Sequence, residues 1–355
     1  MTTMAPQITI AVPTHNRPAF FNRLLMFFDQ VQCGVPILIV DSSAAETRVA
    51  CRSVVEGVQN RLDIKYRHVD LPFEQKCLAA FDDISTPYVM FCADDDFVIP
   101  STLPECVSFL DANPDYATAR GVQYILDTVN GHKLKKARYR EVTHPDPVAR
   151  FHYIADSWFS NFYCVYRTHE LRRDFELTCE YTSTLETIIL PELMLSYLSV
   201  MRGKCRYLPC LSGLVQSHSQ CVSRTAAKIS DPEKYADQYL RFESCLAKVL
   251  AQAADITEDE ARELVKKYHG PARAVWEQRT PSKPGMLEWL RRETARPIRQ
   301  VQQFFRHGMM APPWKSHPIV PGDTQSESFL MMRDLMSKYP DGCPLDQTKT
   351  QQDAA

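Results

Sequence analysis

Short apolar runs alternate with amphipathic stretches through the first hundred residues. Residues 8–12, 36–40, 64–68 and 88–92 are brief and rich in Ile, Val, Leu, Tyr and Phe, the composition of buried strands. Between the first two, Phe20, Phe21, Leu24, Leu25, Phe27 and Phe28 recur at helical spacing, and 73–84 reads as a further helix. This alternation predicts a parallel sheet with crossover helices. Each strand end delivers polar residues to one rim: His15 and Asn16, then Asp41, then Asp94-Asp95-Asp96. Beyond a helix over 103–113 the pattern is mixed. A hairpin is expected from 117–126 and 133–139 around Asn130-Gly131, and a strand over 162–166. A helix over 185–201, interrupted by Pro191, precedes strands over 204–208 and 211–217.

Near residue 229 the character changes. Helices are expected over about 231–249, 257–278 and 286–307, the second opened by a Thr257/Glu260 capping pair. From Met309 the chain is rich in Pro, Ser, Gln and Asp and reads as a tail, disordered at its end, whose removal from about Asp341 would leave folding intact. The expected organisation is therefore a sheet domain over 1–229, a helical extension over 230–308 and a polar tail over 309–355.

Composition is that of a soluble globular protein, 45% hydrophobic and 24% charged, and the net charge of −2 gives no case for nucleic acid as a partner. No apolar run is long enough to span a membrane, and the first residues lack a secretory pattern, which points to the cytoplasm. The twelve cysteines form no CxxC pair and read as reduced, structural residues.

Three consecutive carboxylates at a strand end repel one another and cannot be buried unpaired. Something positive belongs there, and a hard divalent cation carrying phosphates, Mn²⁺ or Mg²⁺, fits best. A solvated acidic turn is the plainer alternative. In open α/β sheets ligands bind beyond the carboxyl ends of the strands, which agrees with the cation reading.

The order of motifs resembles family 2-type glycosyltransferases of the GT-A fold. The resemblance rests on Pro13-Thr14-His15-Asn16-Arg17-Pro18 after the first strand, on Ile39-Val40-Asp41-Ser42-Ser43, and on the stretch from Tyr88 to Pro100. It covers roughly residues 8–224. It implies a metal-dependent, inverting transfer of a sugar from a nucleoside diphosphate sugar, UDP-sugar favoured, to an acceptor hydroxyl on a glycan, lipid-linked or protein acceptor. It also places the protein in bacterial surface glycan or glycoconjugate synthesis.

By the same resemblance Pro13 and His15, followed by Asn16 and Arg17, would flank base and ribose, and Asp41 would accept from the base edge. Lys76 would stand near the donor. Counted back from Pro100, Asp96 is the leading metal ligand and Asp95 a second candidate; Asp94 faces ribose or reaches the metal through water. Glu192, eleven residues before Gly203, is the expected general base, with Glu186 in reserve. His218 would complete the metal shell or touch diphosphate, and Arg224 would neutralise it. The bland readings are a helix cap for Asp41, a solvated lysine for Lys76, helix-dipole acids for the glutamates and a surface loop for His218.

Two other functions compete. A nucleotidyltransferase making sugar nucleotides would open with a glycine-rich loop, yet residues 11–20 contain no glycine. A non-catalytic sugar-nucleotide binder would have lost the acids, which are present. Trp158, Phe159, Phe162 and Tyr163 read as core rather than sugar-stacking residues. The Arg-rich stretch over 286–307 suits packing on its own domain best; an anionic membrane surface, as peripheral contact, or a second copy are the alternatives.

Overall fold

A computed structural model describes residues 7–137, 140–156, 158–182, 189–221, 236–277 and 321–345. The first half alternates as its pattern predicts: β1 (Ile8–Thr14), α1 (Pro18–Gln30), β2 (Ile37–Asp41), α2 (Ala45–Glu56), β3 (Ile64–His68), α3 (Phe73–Ala80) and β4 (Tyr88–Phe91). Next come β5 (Phe97–Val98), α4 (Leu103–Ala112), β6 (Tyr116–Asp127), β7 (Lys133–Lys136), α5 (Pro147–Asp156), β8 (Val165–Arg167), α6 (Thr168–Tyr181), α7 (Ile189–Arg202) and β9 (Lys204–Ser217). The chain ends in α8 (Ala236–Ala254), α9 (Glu258–Glu277), α10 (Pro321–Gln325) and α11 (Glu327–Lys338).

One nine-stranded sheet runs β3-β2-β1-β4-β8-β6-β9-β5, with β7 paired to β6. β1, β2, β3 and β4 are mutually parallel, so their carboxyl ends share an edge. Helices cover both faces. On one, Phe21, Leu24, Phe28, Val54 and Leu110 pack on Ile10, Ile39 and Met90. On the other, Cys77, Phe81 and Phe175 pack on Val40, Val89 and Phe91. Alternate residues of each strand serve opposite faces, which is why these parallel strands read as unbroken apolar runs.

Four expectations change. The two strands over 204–208 and 211–217 are one continuous strand, with register irregularities against β6 where Pro209 interrupts the ladder. Pro191 lies in the first described turn of α7, and the described helix runs on past it without a break to Arg202. α8 and α9 share a core with α5 and α7, in which Tyr197, Tyr239, Phe242, Leu246 and Val265 are buried. The expected boundary at 229 lies outside the described residues, as does the stretch over 286–307.

The fourth change concerns the expected polar tail. Residues 321–338 are mostly helical and the segment is packed: Phe329, Met332, Leu335 and Met336 join the same core as α1. Ser326 caps α11 through its side chain. The last ten residues lie outside the described part. All twelve cysteines are free, as expected.

Candidate active site

Three strand ends converge on one rim, and hydrogen bonds tie their loops together. Thr14, the last residue of β1, joins both sides: its carbonyl accepts from Lys76 Nζ (2.7 Å), and its hydroxyl donates to Asp94 (2.8 Å). Lys76 also donates to Ser42 Oγ (2.9 Å). It is buried, and burial lowers its pKa. The solvated-lysine reading therefore fails, because this helix position faces the sheet.

The β1–α1 loop is locked onto the β2–α2 loop. His15 Nδ1 lies 2.9 Å from the Ser42 carbonyl, and the Asn16 N–H donates to Ser43 Oγ (2.7 Å). Asn16 adopts a left-handed φ of 54°, which asparagine tolerates, and accepts from Ala44 N–H. His15 and Asn16 are exposed at the mouth, while Pro13 is buried beneath them. Asp41 is fully buried. Its carboxylate accepts from Ser43 N–H (2.8 Å) and from the Tyr66 hydroxyl.

The acidic triplet lies between β4 and β5. Arg17 spans two of its acids, donating to Asp94 (2.8 Å) and to Asp95 (2.7 Å), with His218 Nε2 3.2 Å from the same guanidinium. His218 also sits 2.8 Å from Asp95. Phe20 supports both partners: the Arg17 guanidinium lies 4.7 Å from its ring centre, and the His218 ring 4.8 Å. Asp96 faces inward, where Tyr163 donates to one carboxylate oxygen and the Gln216 N–H to the other (2.7 Å). Gly213 lets β5 approach β9, since a Cβ there would lie 2.3 Å from the Phe97 carbonyl oxygen.

The three acids have different electrostatic fates. Burial works against charge on Asp95, yet the His218 hydrogen bond and Arg17 bring its pKa down to about 2. Burial pushes Asp94 up to about 6, against the pull of Arg17. Burial, then the neighbouring Asp95 charge, drives Asp96 well above the carboxylate range. Burial opposes charge on Arg17, but Asp94 and Asp95 outweigh it and raise its pKa. Arg23 is brought down to about 10 by burial, opposed by Asp95 and Asp96.

The positive charge that the triplet demands is thus supplied by the chain's own arginines. The donor chemistry, hard carboxylate oxygens with an imidazole, suits a divalent cation. Asp94, Asp95 and His218, however, are arranged around a planar guanidinium rather than a point ion. Among the described residues, no three His, Cys, Asp or Glu side chains stand together as a metal cage. Asp96, the expected leading ligand, has both oxygens engaged by protein donors.

Glu192 lies in the first described turn of α7, half-buried. Burial raises its pKa, opposed by a hydrogen bond from Ser160. Three residues on, Tyr163 reaches Asp96. The Cα atoms of Ser160 and Tyr163 are at most about 11 Å apart, so the partner of Glu192 and the partner of Asp96 belong to one short segment. Glu186 and Arg224 lie outside the described residues. Sequence reasoning missed Arg23, Tyr66 and Gln216; it read Tyr163 as core, and Tyr163 does pack against the core while its hydroxyl also reaches Asp96.

Residues 9–175 match the model of the glycosyl transferase family 2. No curated protein sequence matches the chain. Among solved structures, the chain resembles S. aureus TarS 1–349 in complex with UDP-GlcNAc at 17% identity and a TM-score of 0.48, covering 74% of this chain and 71% of that one. The complex of TarS 1–349 with UDP gives 17% identity and 0.47, over 74% and 70%. A longer S. aureus TarS structure gives 15% and 0.46 over 74% of this chain, which spans 42% of that protein.

Proposed function

Because residues 9–175 belong to glycosyl transferase family 2, we propose that the protein transfers a sugar from a nucleoside diphosphate sugar, UDP-sugar favoured, to an acceptor hydroxyl with inversion. The observation that carries this reading is the shared rim. An exposed polar mouth (His15, Asn16) held over buried Pro13 and Asp41, and a charged cluster (Arg17, Asp94, Asp95, His218), are joined through Thr14. That is the division of labour a nucleoside diphosphate needs.

The chain's residues then act as follows. His15 and Asn16 line the nucleoside, and Lys76 rigidifies the loop pair beneath it. Glu192 accepts the acceptor's proton as its oxygen bonds to the anomeric carbon and the bond to the diphosphate breaks. Its raised pKa brings it closer to neutrality, where a base works best. Arg17 stabilises the charge on the departing diphosphate by exchanging one anionic partner for another. Once Arg17 turns from Asp94 and Asp95 to the diphosphate, those two acids with His218 would be the residues to hold Mn²⁺ or Mg²⁺, and the ion would supply further positive charge to the leaving group. Arg224 and Glu186 keep their expected roles as donor contact and reserve base.

The cellular setting is part of the proposal: cytoplasmic, with peripheral contact at the inner membrane face as its extension, serving bacterial surface glycan or glycoconjugate synthesis. Among the described residues no helix is long and apolar enough to cross a membrane. The glycan, lipid-linked or protein acceptor and an oligomer through the C-terminal helices belong to the same proposal.

The test is a panel of nucleotide sugars followed by release of nucleoside diphosphate. Release that depends on Glu192 and yields a product of inverted configuration is expected. Formation of pyrophosphate from a nucleoside triphosphate and a sugar phosphate would assign nucleotidyl transfer instead. Binding of nucleotide sugars without release from any of them would leave a non-catalytic binder.

A further inference from the structure

Residues 321–345 lie far beyond the stretch that matches family 2, yet they reach the candidate donor site. α11 anchors them in the α1 core. The chain then runs from Tyr339 to Leu345 across the start of α1, as a strap. The Cys343 N–H donates to the Ala19 carbonyl (2.8 Å), two residues after Arg17. Gly342 has φ +91°, and a Cβ there would lie 2.4 Å from both Ala19 C and Phe20 N. Only glycine allows this approach, since the atoms it would strike are backbone.

Two side chains connect the strap to the acids. Arg23 is fully buried and donates to the Tyr339 carbonyl (2.8 Å) and to the Asp95 carbonyl (2.6 Å). Gln216 donates from its side chain to the Pro340 carbonyl (2.8 Å) and from its backbone to the Asp96 carboxylate (2.7 Å). Adjacent strap carbonyls thus end on adjacent acids, each through one intervening residue. A strap that only covered apolar surface would need neither link. Losing the Tyr339 carbonyl would leave one end of a buried guanidinium without its acceptor, and the residue would no longer be pinned against Asp95.

We propose that this C-terminal strap is a positioning element of the donor site. It holds Asp95, Asp96 and the start of α1, with Arg17, in mutual register, so that strap closure and donor binding favour each other. Arg23 and Gln216 are its positioning residues. The donor half of this statement rests on the glycosyltransferase reading; the positioning half does not. Coupling of this kind is reciprocal: if the strap tightens donor binding, the donor must hold the strap closed by the same factor.

Gly342→Ala pushes the strap off α1 without removing any side chain, and Gly322→Ala, where a Cβ meets nothing within 4 Å, is the control. Amide hydrogen exchange is read at Gln216, whose N–H is held by Asp96, and at Ile37, whose N–H bonds Asp63 in the distant β2–β3 region. In the nucleotide-free protein, Gly342→Ala should speed exchange at Gln216 at least tenfold and leave Ile37 unchanged. It should also weaken UDP binding at least tenfold by calorimetry, and Gly322→Ala should do neither. A lower melting temperature with unchanged Gln216 exchange and unchanged UDP affinity would overturn the proposal and leave a simple staple. Should Gly342→Ala fail to fold, the wild-type protein decides: saturating UDP should slow exchange of the Cys343 amide at least tenfold, and an unaltered rate overturns the coupling. Absence of binding by any nucleoside diphosphate would sink the glycosyltransferase reading alone, because the Gln216 measurement needs no nucleotide.

Discussion

Two strand ends on either side of β1 treat their carboxylates in opposite ways. Asp41, at the end of β2, is held by neutral donors, the Ser43 N–H and the Tyr66 hydroxyl, and is fully buried. Asp94 and Asp95, after β4, are held by cations, chiefly Arg17, whose side chain is 25% exposed. A neutral, buried hydrogen bond fixes an orientation and has no incoming competitor. An ion pair to a long, partly exposed arginine can trade its carboxylate for a phosphate. The first rim is finished before any ligand arrives; the second is charged, balanced and ready to exchange partners. On this account the β2 side sets where the nucleoside lies, and the β4 side responds to the diphosphate.

The comparison breaks most sharply at the base. Glu192→Gln should slow transfer by about two to four orders of magnitude, the usual contribution of a positioned base, with UDP affinity unchanged. Turnover and calorimetry on the same preparation check this. Full activity in that variant would remove Glu192 from the chemistry and return attention to Glu186.

The pH response separates the two acids bound by Arg17. Asp94 has its pKa raised to about 6 in the folded protein, so the folded state binds this proton more tightly than the unfolded chain does. Its contribution to stability must therefore fall as pH rises from about 4 to about 6, by on the order of 2 kcal/mol. Asp95, depressed to about 2, runs the other way, stabilising above the ordinary carboxylate range and losing that contribution as pH falls towards 2. Denaturant melts of the wild type and Asp94→Asn across this range should show the upper slope removed in the variant. An identical slope in both would contradict the assignment.

Much of this rim is readable from residue order because parallel strands are short, apolar and end in polar residues, so Asp41 and the triplet announce themselves. The partners of those acids are less visible, for physical reasons. Arg23 falls three residues after Phe20 and four before Phe27, on the buried face of α1. A charge at that phase signals a buried partner, but nothing local says that the partner is a carbonyl of the triplet loop. Tyr163 sits among aromatic residues that mostly do fill core, as Phe159 and Phe162 do. Its hydroxyl meets Asp96 across 67 residues of sequence, a contact that no local pattern announces. The packing of 321–345 has its own signal, apolar residues at 329, 332, 335 and 336, which the polar composition around them obscures.

Arg17→Gln sharpens the contrast by removing the internal cation. Manganese binding to the nucleotide-free protein, followed by electron paramagnetic resonance, should tighten about tenfold, because Asp94, Asp95 and His218 lose their resident counter-charge. UDP binding should weaken in the same variant. Unchanged manganese affinity would mean that Arg17 does not compete for the cation's place.

Tyr66→Phe tests the neutral rim and should have the smallest effect. It removes one donor to Asp41 at a cost of about 1 kcal/mol in stability. Nucleoside affinity should shift modestly, with the response to Mn²⁺ untouched. A change in metal response comparable to that of Arg17→Gln would erase the distinction between the two rims.

The most direct test of the whole account is thermal unfolding of the wild-type protein with UDP, with Mn²⁺, and with both. Ligands that bind only the folded state raise its melting temperature by mass action. The account predicts a rise with UDP that grows when Mn²⁺ is added, and little response to Mn²⁺ alone while Arg17 holds Asp94 and Asp95. A melting temperature indifferent to every nucleoside diphosphate, with or without metal, would contradict it.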